Sequence, residues 1–184
     1  MFLGKESGSN RGSLKAMTGI DDQFEQPVVE VNMTGTQVSP EILIVEDNLG
    51  DARLISSSFT KLNSEINTVI VEDGAQAMEY LKTSIPDLII LDLNLPKVDG
   101  HTLLAWKETQ SDIRQIPVVV FTSSRAGPDI AKAYSLRCNC YLNKPLDLIQ
   151  FRELMKSVYD FWFAYVVLPT YRLLRLGGSS FQRK

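Results

Sequence analysis

Four short runs of branched apolar residues punctuate the middle of this chain, and they constrain its fold more than any other feature. They are Ile42 to Val45, Thr68 to Val71, Leu88 to Leu91 and Pro117 to Phe121. None alternates apolar with polar positions, so each reads as a strand buried on both faces of a sheet. Helix-length segments separate them, at about 50–62, 75–84, 100–109 and 128–137. Pro128 after Gly127 suits a first helical turn, and Gly74 and Gly100 punctuate two other helix starts. Cys140 to Asn143 is a weaker fifth strand. Strand alternating with helix predicts βαβ units, and hence an α/β fold: a doubly wound parallel sheet with helices on both faces.

The two ends read differently. Residues 1–40 are polar, with Val28 to Val31 as the only β-like run, and such a composition cannot offset the entropy of ordering. This arm is predicted to be disordered, and Met17 and Met33 leave room for a shorter product. Near the other end, Asp147 and Gln150 are spaced as a capping pair. Leu148, Phe151, Met155, Val158, Trp162 and Tyr165 follow at spacings of 3, 4, 3, 4 and 3, the period of one helical face. The pattern extends to Leu168 before Pro169 stops it, which gives an extended C-terminal helix of about 33 Å. A helix covering one small sheet needs about 10–14 residues. Phe161, Trp162 and Tyr165 would stand in water unless a partner covers them, which predicts a homodimer through this end. Beyond Pro169 lies a short basic tail without an acidic residue.

Charge and composition narrow the function classes. The 184 residues carry a net charge of −3, so no overall basic field draws the chain to nucleic acid or to an anionic membrane. Residues 170–184 are too few for a helix-turn-helix. A membrane span would need a run of about 18 apolar residues, and none occurs. The opening MFLGKESGSN is too polar for a secretory signal. Cys138 and Cys140, one residue apart, could pair only under severe strain, so a reducing cytoplasm is the expected location.

In open α/β sheets, ligands bind beyond the carboxyl ends of the strands, where loops and helix N-termini converge. Glu46 and Asp47 follow the first strand, Asp92 the third, Thr122 and Ser123 the fourth, and Lys144 the fifth. Each alone has an ordinary reading, as a cap, a turn residue, a strand end or a surface charge. Their conjunction at one sheet edge is what points to chemistry. Carboxylates gathered there repel one another without a cation, and oxygen ligands of this kind suit Mg2+. The ammonium of Lys144 can neutralise a phosphoryl oxygen while the Thr122 hydroxyl donates to another. The set reads as a magnesium and phosphoryl site.

The segments ILIVEDN, DLIILDLNLPKVDG, PVVVFTSS and CYLNKP resemble the receiver domain of two-component response regulators. The resemblance spans residues 41–163, between the arm at 1–40 and an extension at 164–184. It implies a flavodoxin-like (βα)5 sheet of order 2-1-3-4-5. It also implies that Asp92 accepts a phosphoryl group from a sensor histidine kinase, with catalysis limited to the domain's own phosphorylation and slow dephosphorylation. Asp47 would be the main Mg2+ ligand, assisted by Glu46, by Asp92 itself and by the backbone carbonyl of Asn94. Thr122 and Lys144 would bind the phosphoryl oxygens, and Tyr141 would be the aromatic switch partner of Thr122, moving inward on phosphorylation. LDLNLPKVDG, NCYLNKP and the late Phe161–Trp162 pair are most similar to the single-domain regulators of cyanobacterial phytochromes. That subgroup implies a light-sensing kinase as phosphodonor and output through dimer or partner binding.

Two other α/β chemistries fit less well. A haloacid-dehalogenase-type phosphatase also uses an aspartate nucleophile with Mg2+, but it needs a second aspartate two residues later, where this chain has Asn94. A flavodoxin needs a phosphate-cradling loop after the first strand, where the acidic EDNLGD would repel a flavin phosphate. His101, the lone histidine, reads as an exposed or capping residue rather than a phosphodonor, and the two cysteines lack partners for a soft metal site.

Overall fold

The computed structural model describes residues 39–168. The arm expected at 1–40, but for its last two residues, and the basic tail after Leu168 lie outside the described residues. Five strands form one parallel sheet: β1 (Glu41–Val45), β2 (Asn67–Val71), β3 (Leu88–Leu91), β4 (Val118–Thr122) and β5 (Cys140–Asn143). Their order is β2-β1-β3-β4-β5, as the receiver resemblance implies. The helices between them are α1 (Leu49–Leu62), α2 (Gly74–Thr83), α3 (Gly100–Thr109), α4 (Gly127–Ser135) and α5 (Leu148–Tyr159).

Successive side chains of a strand point to opposite faces, and this chain fills both. Leu43, Val45, Ile89, Leu91, Val118 and Val120 pack against α2, α3 and α4 through Ala77, Leu81, Leu103, Leu104 and Ala133. Ile42, Ile44, Leu88, Ile90, Val119 and Phe121 pack against α1 and α5 through Ile55, Phe59, Phe151, Met155 and Val158. That is why the runs show no alternation. β2 departs from the expectation, because it is an edge strand: Asn67 and Ile70 are exposed, and Val71 alone is buried.

The last helix also departs from its expected form. It does not continue as α-helix to Leu168: after Tyr159 it widens into a π-helical turn over Asp160–Tyr165 and ends there. Widening from i→i+4 to i→i+5 bonds turns the following side chains out of the α-helical phase. Phe163 takes the core-facing place, its ring centre 6.3 Å from that of Phe59 in an edge-to-face pair and 6.0 Å from that of Tyr159 in a stacked one. Tyr165 is 72% exposed, whereas Trp162, expected in water unless a partner covers it, packs against the core.

Register brings the carboxyl ends of the central strands level, with Val45 opposite both Val71 and Leu91. The loop after β3 is then fixed from both sides by backbone contact. A Cβ at position 100 would lie 2.5 Å from the carbonyl oxygen of Asp92, and one at position 74 would lie 2.5 Å from that of Val98. Only glycine lets α3 and α2 begin so close to this loop. Among the described residues, no helix is long and apolar enough to cross a membrane.

Candidate functional site

Glu46 and Asp92 step off the ends of adjacent strands, and both remain buried. The Glu46 amide donates to the carbonyl of Val71 (3.0 Å) and the Asp92 amide to that of Val45 (3.0 Å), so the sheet ladder itself sets their positions. Lys144 arrives from β5, its amide donating to the Thr122 carbonyl (2.9 Å). Its ammonium lies 2.6 Å from Glu46 Oε2, 2.8 Å from Asp92 Oδ2 and 3.0 Å from Asp51 Oδ2. Asp47 is exposed, and carboxylate oxygens of Glu46, Asp47 and Asp92 all lie within 4.8 Å of one another. The other Asp92 oxygen accepts from the amide of Asn94 (3.0 Å).

Three carboxylates, those of Glu46, Asp51 and Asp92, thus share one ammonium, with the Asp47 carboxylate beside Glu46 and Asp92. Burial pushes the Glu46 carboxyl up to about 7, against the pull of Lys144 and with a further push from Asp92. Burial alone would lower the Lys144 ammonium, but its hydrogen bonds to Asp92 and Glu46 outweigh that and hold it above the ordinary lysine range. Lysine therefore stays charged while the cluster keeps an excess of negative charge. An oxygen-rich, net-negative pocket of this kind fits a hard divalent cation.

The sequence-derived switch residues lie beside this cluster. Thr122 is fully buried at the end of β4, and its Oγ1 accepts from the amide of Ser124 (3.4 Å). The Ser124 carbonyl accepts from the Tyr141 hydroxyl (3.0 Å) and from Asn143 Nδ2 (2.6 Å). Tyr141 is therefore already joined to the β4–α4 loop in this structure. Ser124 Oγ in turn donates to Asp129 Oδ2 (2.5 Å) on the first turn of α4.

Sequence reasoning passed over Asp51, Ser124, Asp129 and Asn143. Asp51 carried a signal, since it closes the acidic EDNLGD segment, but only the first turn of α1 brings it back over the strand end. His101 is neither exposed nor capping. Its side chain is 11% exposed, both ring nitrogens are buried without a hydrogen-bond partner among the described residues, and Nε2 sits 3.7 Å from Asp129. Packing of α3 against α4 buries it there. The C-terminal aromatics divide: Trp162 and Phe163 pack against the core beneath α1 and α5, whereas Phe161 is 54% exposed.

Comparison with known proteins agrees with this geometry. Residues 42–157 match the response regulator receiver domain. Response regulator Rcp1 of Synechocystis sp. is 38% identical over 135 residues, which covers 70% of this chain and 92% of Rcp1. The crystal structure of the phosphorylated cyanobacterial phytochrome response regulator RcpA superposes with a TM-score of 0.68 at 39% identity, covering 71% of this chain and 98% of that one. The receiver domain of the sensor histidine kinase PA1611 from Pseudomonas aeruginosa, with a magnesium ion coordinated in its active-site cleft, gives a TM-score of 0.59 at 27% identity. That match covers 67% of this chain and 97% of the other.

Proposed function

We infer the role of this site from the family to which the chain belongs, the response regulator receiver domain family. Receivers are signalling domains that take a phosphoryl group from a histidine kinase onto an aspartate. Asp92 is the acceptor here, and one observation carries that assignment. Asp92 is the carboxylate that shares the Lys144 ammonium with Glu46 while also lying within reach of Asp47.

In the reaction, an Asp92 oxygen attacks the phosphorus of a phosphohistidine. The new P–O bond forms as the P–N bond breaks, and the imidazole nitrogen leaves with that electron pair. Glu46, Asp47, Asp92 and the Asn94 carbonyl would hold Mg2+, which when bound offsets the negative charge of nucleophile and phosphoryl oxygens. Lys144 and the Thr122 hydroxyl bind two phosphoryl oxygens, the one as a charge and the other as a hydrogen-bond donor. When the Thr122 hydroxyl turns to the phosphoryl group, Oγ1 no longer serves the Ser124 amide. Because Ser124 also holds Tyr141, its displacement carries Tyr141 and the start of α4 with it. The switch therefore acts on a loop to which Tyr141 is already bonded, and the inward shift of Tyr141 accompanies that loop. A phosphatase of the haloacid-dehalogenase type is not supported, since position 94 offers an amide and no general acid.

The likeness to Rcp1 and RcpA supports a light-sensing, phytochrome-type histidine kinase as the donor. Incubation with such a kinase, ATP and Mg2+ is expected to add one hydroxylamine-labile phosphoryl group per chain. Failure of uptake both from the kinase and from acetyl phosphate would overturn the reading.

Output through a homodimer is supported by the end of α5. Phe161 stands exposed in the wall of a groove of about 390 Å³ also lined by Cys140, Leu142, Leu154, Val158 and Trp162, along the open edge of β5, and Tyr165 at the end of the same helix is exposed too. Phe161→Asp is expected to convert the dimer to monomer in light scattering. A parent that is monomeric with and without beryllofluoride would remove the dimer from this account.

A further inference from the structure

Lys97 adopts a left-handed backbone conformation, with φ of 60°, in the loop between Asp92 and α3. That region is costly for a residue with a Cβ, and glycine or asparagine fills such positions at less cost. A lysine held there needs a reason in its side chain. Its ammonium lies 2.6 Å from Asp73 Oδ2. Asp73 is 1% exposed and caps the N-terminus of α2, accepting from the Gln76 amide (2.8 Å). The same two segments meet again one residue on, where the Gly74 amide donates to the Val98 carbonyl (3.1 Å). At its far end the loop closes through the Gly100 amide on the Leu93 carbonyl (3.0 Å). Asn94, whose amide holds an Asp92 oxygen, lies between these anchors.

We propose that Lys97 is a positioning residue for the cation and phosphoryl site, holding the Asp92–Asp99 loop through its ion pair with buried Asp73. Resting on the receiver reading of Asp92, it extends that reading to a pair outside the cluster. The ion pair fixes the loop against the start of α2, so the Asn94 backbone is placed before a cation binds. Without it, part of the binding energy goes into ordering the loop. The Lys97 ammonium also keeps the Asp73 carboxyl below the ordinary aspartate range, so the pair stays charged at neutral pH.

The test separates positioning from plain stabilisation. Lys97→Gly removes the ion pair but also relieves the left-handed conformation. The relieved backbone strain offsets part of the cost of leaving buried Asp73 unpaired, so the variant should stay folded, while its Mg2+ Kd by calorimetry rises about 10-fold. Phosphoryl uptake from acetyl phosphate should slow by a similar factor at low Mg2+ and recover at saturating Mg2+. Asp73→Asn keeps the helix cap, since asparagine caps as well as aspartate, and should reproduce the loss. Lys97→Arg should restore most of the affinity, and the double variant Lys97→Gly with Asp73→Asn should be no worse than either single change. Parental Mg2+ affinity in Lys97→Gly, or additive losses in the double variant, would overturn the proposal. A parent chain that neither binds Mg2+ nor takes up phosphate would instead overturn the receiver reading beneath it.

Discussion

Asp92→Asn is expected to abolish phosphoryl uptake, lowering it by at least about 10³-fold, without unfolding the protein. The loss follows from the nucleophile: an amide oxygen cannot form the acyl phosphate, and no second acidic residue stands at position 94 to take its place. The stability argument runs the other way. The side-chain carbonyl of asparagine can still accept from Lys144 or from the Asn94 amide, now at 2.8 and 3.0 Å from the two carboxylate oxygens. One negative charge leaves a crowded acidic cluster, so the metal-free variant should be as stable as the parent or more stable by about 1 kcal/mol. Intact-mass spectrometry after acetyl phosphate treatment reads the first effect, and thermal melting without divalent cation reads the second. Uptake by the variant equal to that of the parent would remove Asp92 from its role. A large loss of stability would show that its charge is compensated more fully than one ammonium among several carboxylates implies.

The parts of this site that were legible in the sequence are those the backbone alone delivers. Glu46, Asp92, Thr122 and Lys144 sit at or just past strand ends, and strands of a parallel sheet must present their carboxyl ends together, so naming the strands was enough to gather the residues. Asp51 and Asp129 reach the same region from first turns of helices, where a side chain's direction depends on the helix axis and not on sheet order. No periodicity reports that. His101 was read as exposed because a polar residue at a helix start usually is, whereas the close packing of α3 on α4 encloses it without giving its nitrogens a partner. The end of α5 shows the opposite limit. Its apolar spacing was correctly read as helical as far as Val158, but extrapolation through Tyr165 assumed an unbroken α-helical period. The π turn at Asp160–Tyr165 changes the phase, so Trp162 and Phe163 pack on the core while Phe161 and Tyr165 stay exposed.

Lys144→Ala is expected to be the most damaging single change to the resting protein. The lysine side chain is 12% exposed, and the Glu46 and Asp92 side chains it neutralises are 2% and 6% exposed. Removing one member of a buried ionic cluster leaves the other charges uncompensated, at a cost of about 3 kcal/mol. The cost should depend on pH with a definite sign. Burial already raises Glu46 from 4.5 to about 7, and loss of the ammonium raises it further. A carboxyl whose folded-state value lies above its unfolded one binds more protons when folded. Stability of the variant should then fall as pH rises from about 4.5 through that raised value, and recover on acidification. Mg2+ should stabilise the variant more than the parent, because a cation bound only by the folded state would replace the missing positive charge. Activity separates charge from chemistry: even saturated with Mg2+, the variant should take up phosphate about 100-fold more slowly, having lost a donor to the phosphoryl oxygens. Melting curves from pH 5 to about 8, with and without Mg2+, together with uptake rates at saturating Mg2+, test each step. If the Mg2+-saturated variant reacts at the parental rate, Lys144 serves only to balance the resting cluster. If its melting temperature is unmoved at neutral pH, the cluster does not depend on that ammonium at all.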